Sequence, residues 1–284
     1  IATNGAIRVA SGDTLTAVLV QAVTDSDSND ISLKTAAGDI AIDVVKIGTD
    51  VDASGLDAGA GDVIVNAAGS ITDLNANLVV TGLDPLAVNV TADNVHLTAR
   101  GGSIDIDTRV NTVNSESALG TQIDEFNAAT LTSVVATNGA IRVASGNTLT
   151  VDLVQSTTDL QLNAISLRTA AGNIAVNVVR IGTSGDAAAG DVTIDAAGAV
   201  TDLNTGLDVF SLNPAAVNVT GDNVNVTART GAIDVDTRAN SINSQSALGT
   251  QLDEFNAVTL NSVVATNGAI RVASGDQMTA TLVQ

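Results

Sequence analysis

The eleven residues Ala-Thr-Asn-Gly-Ala-Ile-Arg-Val-Ala-Ser-Gly occur three times in this chain, at 2–12, 136–146 and 265–275. The copies start 134 and 129 residues apart. A chain that repeats itself over such a distance folds as repeated units, each covering an apolar face its neighbour leaves open. The match continues beyond the motif. Residues 2–21 and 136–155 agree at 17 of 20 positions, 31–38 matches 165–172, 88–91 matches 217–220, and 117–122 matches 246–251. The offset changes once, where residues 50–61 stand against the shorter stretch 184–190. Both are rich in Gly, Ala and Asp, which reads as an outward loop whose length costs little. The blocks are therefore 1–134, 135–263 and the start of a third at 264–284, expected to form one continuous body.

A finer pattern runs inside each block. A small turn residue precedes Ile-x-Ile or Val-x-Val again and again, as in Gly5-Ala-Ile-Arg-Val, Gly38-Asp-Ile-Ala-Ile and Gly102-Ser-Ile-Asp-Ile. Apolar residues alternate with Asp, Asn, Thr, Ser or Arg over runs of four to seven, the period of a strand with one buried face. Residues 117–128 are the one stretch where a short helix fits. Side-chain size then separates the all-β folds. There is no Trp or Tyr, and only three Phe. A two-sheet sandwich about 10 Å thick is filled with larger side chains. Val, Ile, Leu and Ala suit the narrow interior of a parallel β-helix, where like residues stack at about 4.8 Å. The expected fold is an all-β parallel β-solenoid of roughly 20–25-residue coils, about twelve or thirteen in number, an elongated rod of roughly 60 Å.

The net charge is −20, with 11 basic against 31 acidic residues. Of the acidic residues only Glu116, Glu125 and Glu254 are Glu; the rest are Asp, which favours turns over helices. Nucleic acid is an improbable partner, because phosphate binding needs clustered Lys and Arg. No apolar run reaches the length of a membrane-spanning helix, so membrane insertion is not expected. Cysteine is absent, which removes disulfides from the argument.

Residues 69–73, 88–99, 118–126 and 4–9, with their second-block counterparts 198–202, 217–228, 247–255 and 138–143, resemble the β-strand repeats of very large bacterial exoproteins akin to filamentous haemagglutinin-type adhesins. That resemblance implies a β-solenoid, export to the cell surface or beyond, and the role of a stalk, filament or matrix fibre. The partners it implies are further copies of the same repeat stacked end to end, with surface or glycan contacts along the side.

Candidate chemistry is weighed by asking which residues recur between blocks. All eleven basic residues fall in recurring slots: Arg8, Arg142 and Arg271; Lys34 and Arg168; Lys46 and Arg180; Arg100 and Arg229; Arg109 and Arg238. They read as surface braces for nearby Asp105, Asp107, Asp234 and Asp236, each exposed pair worth about 0–1 kcal/mol. His96 stands alone, opposite Asn225, without the partners that a zinc site or serine triad requires. The Asp105/Asp107 and Asp234/Asp236 pairs resemble glycosidase carboxylates only in spacing, and they recur as scaffold does. No catalytic residue and no cofactor is assigned, and the chain is not expected to be an enzyme. For calcium the candidate oxygen ligands are Asp25, Asp27 and Asp30, and Asp50, Asp52 and Asp57. In the second block Gln161 and Ala164 stand opposite Asp27 and Asp30. Asn89, Asn218 and Asn225 fit the glycan-acceptor pattern and equally an ordinary strand.

Overall fold

The computed structural model of the chain describes residues 1–48, 60–75, 78–183, 189–204 and 206–284. Among the described residues there are 24 strands, two three-residue 3-10 turns and no α-helix. They group into two compact units, one of residues 1–138 with 142–147 and one of residues 139–141 with 148–284.

The strands of the first unit are β1 (Ile7–Ser11), β2 (Leu15–Ala22), β3 (Ile31–Thr35), β4 (Ile40–Ile47), β5 (Val63–Ala67), β6 (Ile71–Asp73), β7 (Val90–Thr91), β8 (Asn94–Ala99), β9 (Ser103–Arg109), β10 (Thr112–Ser117), β11 (Gly120–Glu125), β12 (Ala129–Ala136) and β13 (Ile141–Ser145). They alternate between two parallel ladders. One is β1, β3, β5, β8, β10 and β12 in order. The other is β2, β4, then β6 and β7 side by side, β9, β11 and β13. Each coil contributes one strand to each ladder, so the unit is a parallel β-solenoid, as the sequence predicts.

The coils are not of one length. Ile7 pairs with Ile31, Ile31 with Val63, Val63 with Val95, Val95 with Val113 and Val113 with Leu131. The steps are 24, 32, 32, 18 and 18 residues, against an expectation of 20–25. The short coils are nearly all strand. The third coil is long because the chain leaves the ladder after β6 and returns at β7, making a 3-10 turn at Pro85–Ala87 on the way.

Burial follows the two-residue period. β3 reads buried, half-buried, buried, exposed, buried, with Ile31 and Leu33 inward and Lys34 outward. From Ile31 to Leu131 the inward column of the first ladder is fully buried and aliphatic. Each such side chain is worth roughly 1.5–3 kcal/mol. A column in the second ladder changes character along its length: Val20, Val45, Val90, Thr108, Glu125. Its last two members open the polar corner described below.

The stretch 117–128 is a correction. No helix forms there: β11 pairs in parallel with β9, Thr121 against Ile104 and Ile123 against Ile106. Ile123 is needed in the core, and the Glu125 carboxylate is held inside the coil, so neither can serve a helix.

The second unit repeats the plan with β14 (Leu149–Ser156), β15 (Ile165–Thr169), β16 (Ile174–Ile181), β17 (Val192–Ala196), β18 (Val200–Asp202), β19 (Val219–Ala228), β20 (Ile233–Ser246), β21 (Thr250–Glu254), β22 (Val258–Ala265), β23 (Ile270–Ser274) and β24 (Met278–Ala280). β19 and β20 are long because each runs through a corner and serves both ladders. The equivalent column reads Val154, Val179, Val219, Thr237, Glu254.

Within the first unit β1 and β13 carry the same five residues, yet they lie in different ladders. Within the second unit β14 and β24, also sequence-equivalent, again lie in different ladders. One block contains an odd number of half-turns, because β6 and β7 together fill a single level.

Candidate functional site

The residues with chemistry to offer gather where the second ladder turns polar. β9 and β11 run side by side with Asp105 against Gln122, Asp107 against Asp124 and Thr108 against Glu125. Their alternation sends Ile104, Ile106 and Ile123 inward and puts Asp105 and Asp107 on the outer face. The next residues break the alternation, and β9 ends in four consecutive buried positions.

Glu125 is fully buried. Its Oε2 accepts from Thr108 Oγ1 at 2.6 Å, and its Oε1 accepts from the backbone N–H of Asn127 at 3.0 Å and of Val110 at 3.3 Å. Beside it Arg109, 1% exposed, lays its guanidinium 4.3 Å above the centre of the Phe126 ring. In the second unit Glu254 accepts from Thr237 Oγ1, Asn256 N–H and Ala239 N–H, and Arg238 lies 4.0 Å above the Phe255 ring. Burial drives both carboxyls up, to about 8, against the pull of these hydrogen bonds. Arg109 and Arg238 were expected as surface braces. They are buried, because the narrow interior needs long flat side chains where the aliphatic column ends, and a guanidinium on an aromatic face supplies one.

Next to the corner lies an acidic ledge. Burial raises Asp107 to about 7, aided by the charges of Asp73, Asp124 and Asp105 and opposed by a hydrogen bond from Leu78 N–H. Burial also raises Asp105 and Asp124, with Arg142 pulling both back down. The second unit matches it: Asp236 rises to about 7 through burial and the neighbouring Asp202, Asp253 and Asp234, and Asp234 rises with it. Arg271 pairs with Asp253 at 3.4 Å. Arg168 and Arg229 meet at Asp195, at 3.7 and 2.9 Å, a partly exposed brace of the kind the sequence suggests.

The ledge holds the excursion between β6 and β7. Asp107 Oδ2 accepts from Leu78 N–H, and Asp236 Oδ2 accepts from Leu207 N–H. Asn89 closes the other side: its Nδ2 donates to the carbonyls of Ile42 and Asp43 and to Asp73 Oδ1, and its Oδ1 accepts from Asp107 N–H at 2.8 Å. Asn218 makes the same set. Both asparagines are buried with every polar atom engaged, so neither is a glycan acceptor in the folded chain.

The tip of the excursion forms a latch. Leu83 and Leu212 have φ of 44° and 45°, a left-handed backbone that costs a leucine about 1–2 kcal/mol. In this pose Leu83 rests on Gly146 and Leu212 on Gly275, the last residues of the second and third motif copies. A Cβ on Gly146 would lie 2.8 Å from Leu83 Cδ2 and would strike the Phe126 carbonyl. One on Gly275 would lie 2.5 Å from Leu212 Cδ2 and 2.8 Å from the Phe255 carbonyl.

The remaining candidates lie elsewhere. Asp25 and Asp30 are exposed and cap the next coil, accepting from Ala60 N–H at 2.5 Å and Asp62 N–H at 3.2 Å; Asp159 does the same for Ala189. Asp27 is exposed beside them. Asp50, Asp52 and Asp57 lie outside the described residues. Among the described residues no three His, Cys, Asp or Glu side chains are arranged to hold a metal ion. His96 is exposed on β8 between Ile64 and Asn114. Two hollows, of about 150 and 230 Å³, are lined by residues such as Arg100, Glu116 and Thr137, and Asn240, Thr259 and Gln277; neither lining includes a ledge carboxylate.

Sequence reasoning missed the buried Glu–Arg–Phe corner and the latch. A signal was present for the first. In a chain that uses Asp almost everywhere, two of three Glu and two of three Phe stand side by side at equivalent positions. Compared with known proteins, the chain matches no family model, no curated protein and no solved structure.

Proposed function

We propose that this chain is a structural segment of a secreted or cell-surface β-solenoid protein, serving as a filament, stalk or matrix fibre. One observation carries the reading: in each unit the side chains capable of chemistry are committed to the same scaffold contacts. Glu125 and Glu254 close a corner, Asp107 and Asp236 tie an excursion, and Arg109 and Arg238 fill the interior. A catalytic centre needs groups left free to meet a substrate.

Its partners are further copies of the repeat placed end to end. Among the described residues β1 pairs only with β3, and β24 only with β22, leaving parallel edges that other strands can extend. The acidic surface opposes sideways association, so growth along the ladders is favoured. Negative-stain microscopy of the native material tests this. Filaments or end-to-end chains are expected; compact, non-associating particles overturn it.

A second reading, a module that grips glycans or a receptor along its side, has one observation in its favour. Phe210 is 96% exposed at the tip of the second excursion, where the first has Thr81. Loss of glycan or cell binding in Phe210→Ala would support it.

A further inference from the structure

The three copies of the eleven-residue motif end in glycine, and two of those glycines have a visible reason. Gly146 and Gly275 are seats on which Leu83 and Leu212 rest, each 63 positions upstream. Around both seats the wiring is the same. The glycine N–H donates to the carbonyl of Glu125 or Glu254, at 2.8 and 2.9 Å. The serine before it, Ser145 or Ser274, donates through Oγ to the carbonyl of Asn127 or Asn256, at 2.7 and 2.8 Å. The same hydroxyl accepts from the N–H two residues on, fixing the turn.

The first copy makes the turn without the occupant. Asp13 N–H donates to Ser11 Oγ at 3.2 Å, as its equivalents do. Gly12 is exposed, and among the described residues nothing lies within 4 Å of where its Cβ would be. Its φ lies outside the left-handed range, so its backbone does not require glycine. Ser11 Oγ, lacking a carbonyl from an adjoining coil, turns to Thr14 O at 3.2 Å. The seat is preformed and open on the free edge of β1.

We infer that the surface around Gly12 and Ser11 is a docking seat for another block of this same repeat. That block brings the leucine of its excursion onto Gly12 and the carbonyls of its Glu-Phe-Asn corner to Gly12 N–H and Ser11 Oγ. The partner is specified by the two occupied seats, which show what the motif binds. The inference rests on the end-to-end reading above and adds to it the register of the joint, because a leucine on glycine admits one placement along the edge.

The test uses the full 284-residue chain and, as the probe, a synthetic peptide of residues 78–89, with backbone amide resonances as the readout. Saturable shifts at Ser11–Thr14 are expected. They should vanish with the peptide carrying Leu83→Ala and in the chain carrying Gly12→Val, a variant that has room for its side chain and keeps its fold. The inference is overturned if no saturable shift appears up to millimolar peptide. Equal shifts from the Leu83→Ala peptide, or in the Gly12→Val chain, overturn it too. Filaments that form while the peptide leaves the seat untouched remove the seat alone; absence of filaments removes the wider reading.

Discussion

Glu125 and Glu254 are buried carboxylic acids whose neighbours favour the charged form and whose burial opposes it. The balance lies with burial, as it does for Asp107 and Asp236. A carboxyl whose folded value lies above its unfolded one binds its proton more tightly in the native state. The stability it contributes is therefore complete below about pH 4 and is lost as pH rises through about 7 for the aspartates and about 8 for the glutamates. The melting temperature of the chain is expected to fall by about 5 °C or more between pH 5 and pH 9. The paired variants Asp107→Asn and Asp236→Asn should flatten that slope, since an amide oxygen still accepts from Leu78 or Leu207 N–H without a charge. A chain that melts higher at pH 9 than at pH 5 contradicts this account. Arg109 supplies a second residue-level test. Arg109→Met leaves Glu125 without its neighbouring cation and should cost about 3–5 kcal/mol in urea unfolding, with Glu125→Gln in the same chain restoring part of it.

At the scale of elements, the excursion between β6 and β7 shows why one motif can tolerate different substitutions at different copies. Gly146→Val drives a side chain into Leu83 and the Phe126 carbonyl and should cost about 2–4 kcal/mol. Gly12→Val meets nothing and should stay within about 0.5 kcal/mol of the parent. Denaturant midpoints of the two variants, measured side by side, decide whether the latch bears on stability; equal midpoints would discard it. The strained φ of Leu83 has the same cause. A left-handed leucine persists only where its surroundings fix it, and Asp107, Asn89 and Gly146 hold the loop at its base and its tip.

For the whole molecule, the strand pattern, its parallel pairing and the aliphatic core were legible, because a period of two and the sizes of Val, Ile, Leu and Ala are local properties that stacking multiplies. The coil length was legible only as an average. The short helix considered for residues 117–128 fails because β11 is claimed by β9 and by the core. The calcium proposal is answered separately: Asp25 and Asp30 are occupied by backbone N–H groups of the next coil, so an excess of chelator should leave the melting curve unchanged. A lowered melting temperature on chelation would place an ion in the chain.

The sequence alone determined that this chain repeats, that its units are short parallel strands and that its interior is aliphatic, since all three follow from what each residue does beside its own neighbours. The partnership of Thr108 with Glu125, the place of Leu83 upon Gly146 and the return of one motif on opposite ladders were decided by the tertiary structure. Each joins residues 17, 63 or more than a hundred positions apart. Their distance in space depends on how many half-turns lie between them, and no local pattern counts half-turns.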